Sequence, residues 1–183
     1  MQRRYQGMIV QLLTICILFL HTGIAAPDEI VLWNKSGRLT WSDFQGAPPS
    51  NSGSAALTSS GVTLEYSANG QAVTYKIGCH FDKDRSWGRV KNPLILAHEQ
   101  GHFDISEIYA RRLYKALMHY RYRPATASND INKIYQSVMQ DLQQRQNGYD
   151  AQTDHSRNMR VQKEWLISIE EELKELDAYA DYD

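Results

Sequence analysis

His98 and His102 stand four residues apart in LILAHEQGHFDISE (Leu94–Glu107), and Glu99 directly follows the first of them. On an α-helix, residues at that spacing share one face, with Cβ atoms about 5–6 Å apart. Two imidazoles so placed can each give a ring nitrogen to one zinc ion at about 2.0–2.1 Å. Glu99 then lies beside the position of a bound water and can act on it as general base. Zinc lowers the pKa of such a water from about 15.7 toward 7 and polarises a carbonyl. The chemistry is zinc-assisted hydrolysis, with His98 and His102 as ligands and Glu99 as base. The plain alternative is a helix that happens to pack two histidines. Gly101 sits inside the motif, where glycine costs about 1 kcal/mol relative to alanine. Close packing of another element beneath the metal would account for it.

The third ligand is not in this stretch. A compact three-histidine motif would need a glycine three residues after His102 and a histidine six after it. Ile105 and Ile108 occupy those places. Asp104 and Glu107 are too near in sequence to reach round the same ion. A glutamate from a later helix (Glu164, or Glu170 to Glu175) is conceivable, as is His80 at the end of a strand; His119 falls far along the same helix. His155 has the best setting. It lies in NGYDAQTDHSRN, where Gly148 is expected to close one helix and Thr153, Asp154 or Ser156 to cap the next. Asp150 or Asp154 could orient its ring from behind.

These residues need a helical half to carry them, and the chain supplies one. Asn92-Pro93 reads as an N-cap followed by proline in the first turn, opening a helix that reaches about Tyr120. A second helix is expected from about Asn129 to Gln146, and a third from near Ser156. The acidic run from Glu170 to Asp177 reads as the solvated face of that third helix. Upstream, GVTLEYSANGQAVTYKIGCHF alternates apolar and polar residues about Asn69-Gly70, the pattern of a β-hairpin. Ile30 to Trp33 is a candidate further strand. Trp41, Phe44 and Trp87 read as packing between sheet and metal helix. The fold class is therefore α+β, a small antiparallel sheet followed by packed helices.

The first residues differ from the rest. Arg3 and Arg4 precede an apolar run from Met8 to Leu20, then Gly23-Ile24-Ala25-Ala26. That order reads as a signal peptide over residues 1–26, leaving one domain over 27–183. The apolar run is shorter than the roughly 20 residues of a membrane span. Export to the periplasm or beyond is expected, without stable membrane insertion once the leader is gone; an uncleaved anchor is the alternative. Lys+Arg number 20 against 21 Asp+Glu. Losing the two leader arginines leaves 18 against 21, a net charge of −3, which gives no argument for nucleic acid as partner. Cys16 would leave with the leader, so Cys79 has no intramolecular disulfide partner.

Four blocks together resemble a family of uncharacterised bacterial proteins described as predicted secreted zinc-dependent proteases. They are LTWSDFQG (39–46), RSWGR (85–89), LAHEQGHFDISE (96–107) and YDAQTDHSRNMRVQKEW (149–165). The resemblance spans nearly all of the chain after the leader. It implies a zincin-like domain carrying Zn2+, and it favours His155 as the third ligand beside His98 and His102. Ser156 stands where that family usually has glycine. The expected activity is hydrolysis of peptide or protein substrates, with Tyr149 a candidate donor to the oxyanion; packing is the other reading of Tyr149. Two rivals stand beside it: a zinc-binding envelope scaffold without catalysis, and a peptidoglycan amidase with the same metal chemistry.

Overall fold

The computed structural model describes residues 29–182; the leader lies outside them. Nine residues of alternating pattern form β3 (Ser60–Ala68), and ten form β4 (Val73–Asp82). They pair antiparallel with Val62 opposite Cys79, Leu64 opposite Ile77 and Tyr66 opposite Tyr75. The turn between them has Gly70 at φ 85°, a left-handed conformation that glycine adopts without steric penalty. A short β1 (Ile30–Leu32) adds to the other edge of β4, giving the order β1-β4-β3. Two further short strands, β2 (Ala56–Leu57) and β5 (Trp87–Gly88), form a separate ladder. Two-residue strands have no period to read, so alternation could not reveal them.

One face of the sheet packs on α1 (Pro93–Met118). The helix begins as its sequence dictates: Asn92 accepts a hydrogen bond from the Ile95 amide at 2.9 Å, and Pro93 occupies the first turn. An aromatic chain joins the layers, from Trp41 through Phe44 and Phe81 to Phe103, with ring centroids 4.9, 5.0 and 5.8 Å apart. Phe81, Ile105, Leu113 and Ile131 have no exposure and mark the centre of the core. Two more helices, α2 (Ala127–Thr153) and α3 (Met159–Glu175), pack against α1, and the Tyr135 hydroxyl of α2 also donates to the Val62 carbonyl of β3. The chain is α+β as expected. No helix among the described residues is long and apolar enough to cross a membrane.

The helix boundaries near residue 150 correct the sequence reading. Gly148 does not close α2, which runs on to Thr153. The propensity cost of one glycine, about 1 kcal/mol, is outweighed by what the extra turn buries, since Tyr149 and Thr153 are both fully buried. The next helix starts at Met159, where Asn158 accepts from the Val161 amide at 3.3 Å. His155 therefore does not open a helix. It lies in a turn where Asp154, His155 and Ser156 take φ values of 51°, 49° and 73°. Left-handed backbone costs a non-glycine residue about 1–2 kcal/mol. Three in succession form a strained segment, and Ser156 occupies the most positive φ where the resembling family has glycine.

Candidate metal centre

Because α2 continues through Gly148, Gln146 and Asp150 sit one helical turn apart on the face turned to α1. His98 and His102 meet them there. Asp150 Oδ1 lies 3.1 Å from His98 Nε2 and 3.1 Å from His102 Nε2, and the two imidazole nitrogens are 3.2 Å apart. A tetrahedral ion with bonds of about 2.0–2.1 Å holds its ligand atoms about 3.3 Å from one another. The three atoms thus form one face of a tetrahedron of the right size. Among the described residues they are the group whose ligand atoms all come within 4.8 Å of one another. Converging lone pairs of this kind need a proton or a cation between them.

Neighbouring groups set the orientation of His102. The Gln146 amide nitrogen donates to the His102 carbonyl at 2.9 Å, which turns its Oε1 toward His102 Nδ1 at 2.6 Å. Nδ1 therefore carries the proton, and Nε2 keeps its lone pair for the cluster. Burial pulls the His102 pKa down. The hydrogen bond to Asp150 and the charges of Glu99 and Asp150 outweigh burial, so the net shift is upward. For Asp150, burial acts upward but is overcome by the hydrogen bonds and charges of His102 and His98. Its carboxyl is held well below the usual range.

These two shifts define a stability window for the metal-free protein. His102, raised when folded, contributes fully below about pH 6.5, and its contribution disappears as pH rises through the folded value. Asp150, depressed when folded, contributes fully above about pH 3.9 and is lost as pH falls through its folded value. Thermal melts in chelator are expected to peak between roughly pH 4 and 6.5. A melting temperature that climbs steadily from pH 5.5 to 8 would contradict this.

The site residues expected from sequence are placed unequally. Glu99 is 4% exposed and lines the same cleft as the histidines, a cavity of about 300 Å³. The Thr58 hydroxyl donates to the Glu99 backbone carbonyl at 3.2 Å and ties the end of β2 to α1. His155 borders this cleft with its side chain 61% exposed, Nδ1 lying 3.3 Å from Asp150 Oδ1. It touches the three-atom group through Asp150 and is not itself part of it. Tyr149 is fully buried and does not face the cleft. Its ring stacks on His98 at 4.5 Å, and its hydroxyl donates to the His98 carbonyl at 3.3 Å. It is the floor of the site, not a donor into it. A Cβ on Gly101 would collide with the Tyr149 hydroxyl and come within 2.8 Å of its Cζ, which explains the glycine inside the motif. Burial first, then the charges of Glu99 and Asp150, push the Tyr149 phenol far up.

The other ligand candidates lie elsewhere. His80 sits over Gly61 on the sheet, and His119 caps the end of α1. Glu164 pairs with Arg160, Glu170 with Lys174, and Glu172 with Arg112. The remaining polar residues of HEQGHFD have a structural task. Asp104 accepts from the Trp33 indole at 2.8 Å, from Arg38 at 2.8 Å and from Gln100 at 2.8 Å. Gln100 Oε1 in turn accepts from the Leu39 amide at 2.8 Å. Together they fasten the segment from Trp33 to Leu39 onto α1. Asp150 is the site residue that the sequence reading assigned only a supporting part. Its signal was the i, i+4 spacing of Gln146 and Asp150, visible once Gly148 is read as internal.

An α+β domain with two histidines of one helix and one aspartate of the next is the class of site that fold and geometry define. Residues 39–156 match the family model described as Bacterial protein of unknown function (DUF922), and the chain belongs to that family. The matched stretch contains both histidines, Glu99, Tyr149, Asp150 and His155, and stops before α3. No curated protein matches the chain, and no solved structure does.

Proposed function

We propose that the chain is a zincin-like, zinc-dependent peptidase that works outside the cytoplasm. The observation that carries this reading is the triangle of His98 Nε2, His102 Nε2 and Asp150 Oδ1, with edges of 3.1 to 3.2 Å and Glu99 beside it in one cleft. Two imidazoles and one carboxylate suit zinc at an open catalytic position, where three protein ligands leave the fourth to water or substrate. The apolar run from Met8 to Leu20 after Arg3 and Arg4 supports export.

Zinc, when bound, activates a water and polarises the scissile carbonyl. The protein's own part follows from placement. Glu99 takes a proton from the attacking water and returns it to the leaving amine. Asp150 and the two imidazoles fix the geometry, with Tyr149 as a rigid floor. His155, with Nδ1 3.3 Å from Asp150 Oδ1, steadies the carboxylate from the rim.

The rival reading, a zinc-binding scaffold, has one observation in its favour. A closed structural site needs a fourth protein ligand, and His155 is the residue within reach, 3.3 Å from Asp150 Oδ1. Metal content separates the two. Asp150→Ala should lose zinc on dialysis, while His155→Ala keeps about one ion per chain. Loss of zinc from both variants would make His155 a ligand and favour the closed site. Wild-type protein should also cleave a mixed peptide library; cleavage of peptidoglycan alone would transfer the same chemistry to an amidase.

A further inference from the structure

His98 poses a problem that His102 does not. To give Nε2 to a cation, an imidazole must carry its proton on Nδ1. His102 passes that proton to Gln146. His98 Nδ1 is buried and has no hydrogen-bond partner. A buried donor without an acceptor is unfavourable, and native structures rarely leave one.

A second buried atom has the complementary defect. Gln162 of α3 is 1% exposed, and its Oε1 also has no partner. Its Nε2 donates to the Leu94 carbonyl at 2.9 Å, which pins the amide to α1 one turn before His98. Side chains on a helix lean toward its N-terminus and lie over the preceding turn. The His98 ring therefore leans toward the turn that Gln162 holds. The stack behind His98 points the same way. Tyr149 lies on the His98 ring at 4.5 Å and meets Trp165 at 5.3 Å, and Trp165 is one turn along α3 from Gln162. One atom is a donor seeking an acceptor, and the other is an acceptor seeking a donor.

We propose that Gln162 is the positioning residue for His98, accepting its Nδ1 proton through one internal water. Buried waters typically bridge otherwise unsatisfied polar groups, and these two atoms are the complementary pair such a water would join. Each metal-binding imidazole of α1 is then set by a glutamine from a different helix: His102 by Gln146 of α2, His98 by Gln162 of α3. The inference rests on the metal reading above. It adds α3, which lies beyond the matched stretch, to the apparatus of the site.

The test uses the full chain and zinc alone. Gln162→Leu removes the acceptor at similar volume, and Gln162→Met provides a second apolar variant in case the first packs badly. Zinc affinity, measured by chelator competition, is expected to weaken about 10- to 100-fold in both, the usual effect of losing an outer hydrogen-bond partner. The metal-free apolar variants also lose the bond to the Leu94 carbonyl, so both are expected to melt somewhat below the wild type. Gln162→Glu should keep the affinity. In 15N-labelled metal-free protein, His98 should carry its proton on Nδ1 in the wild type and lose that preference in Gln162→Leu. Apolar variants within twofold of wild-type affinity would overturn the inference and leave the metal site standing. So would a Gln162→Glu variant that loses affinity as the apolar variants do, which would mark a merely structural role. A wild-type chain that binds no zinc would instead remove the metal reading, and this inference with it.

Discussion

Glu99→Gln is expected to bind zinc as the wild type does and to lose hydrolysis by about 10²- to 10⁴-fold, the range associated with a positioned general base. At about 1.4 kcal/mol per factor of ten, that is roughly 3–5 kcal/mol of barrier. The substitution is nearly isosteric. It removes the carboxylate's ability to take a proton and leaves the helix, the two histidines and Asp150 in place. Glu99 is not among the three atoms of the metal triangle, so zinc content and rate should separate cleanly. Equilibrium dialysis and peptide turnover on the same preparations check this. A variant retaining more than a tenth of wild-type turnover would exclude Glu99 as the base. One that loses zinc would make the residue a support of the site instead.

The second large effect lies away from the metal. Arg111 and Glu107 are each 1% exposed, and Arg111 Nε donates to Glu107 at 2.7 Å. Arg111 also donates to the Leu173 carbonyl at 2.7 Å and lies over the Trp33 ring at 5.1 Å. The Tyr182 hydroxyl closes the other side of Glu107 at 2.5 Å, so the end of the chain is buttoned to this carboxylate. Burial raises the Glu107 pKa even against the hydrogen bonds of Tyr182 and Arg111. Arg111→Met should cost about 3–5 kcal/mol at neutral pH, because it strands a buried carboxylate. That corresponds to roughly 6–20 °C in melting temperature for a chain of this size. The penalty should shrink as pH falls and Glu107 protonates. Pairing the change with Glu107→Leu should recover most of the loss, since apolar replacement of a whole buried pair is often neutral. Urea melts of the two single variants and the double variant test this. A loss below 1 kcal/mol in Arg111→Met would show that the pair is not isolated from water.

Patterned segments were legible in the sequence, and irregular ones were not. The hairpin followed from strict alternation about Asn69-Gly70, and its observed register puts Val62, Leu64, Ile77 and Cys79 on the core side, as that alternation requires. The start of α1 followed from Asn92-Pro93, and the glycine in HEQGH correctly implied a close neighbour, which is Tyr149. The end of α2 was misjudged because a local glycine signal was weighed without the tertiary burial of Tyr149 and Thr153. That single boundary moved His155 from a helix start into a strained turn and hid Asp150 on a helix face. β2 and β5 left no trace because their pairing is decided by neighbours such as Trp41, whose ring covers Gly88.

The positions of the three converging atoms along the chain have a consequence for folding. His102 and Asp150 are 48 residues apart in sequence, so one ion bound there would join two distant helices. An unfolded chain can use both residues only by closing that long loop, at an entropic cost that grows with its length. Such an ion would prefer the folded chain strongly, and its binding energy would pass almost undiluted into the folding equilibrium. At a free concentration one thousand times the dissociation constant, the gain is about 4 kcal/mol. Cys79 is buried and unpaired among the described residues, and no disulfide restrains them. Under the proposed metal reading, a metal cross-link between α1 and α2 would take that part. If the chain is exported unfolded and binds zinc, as proposed above, it would acquire this brace only on meeting the metal, and metal supply would condition maturation as well as activity.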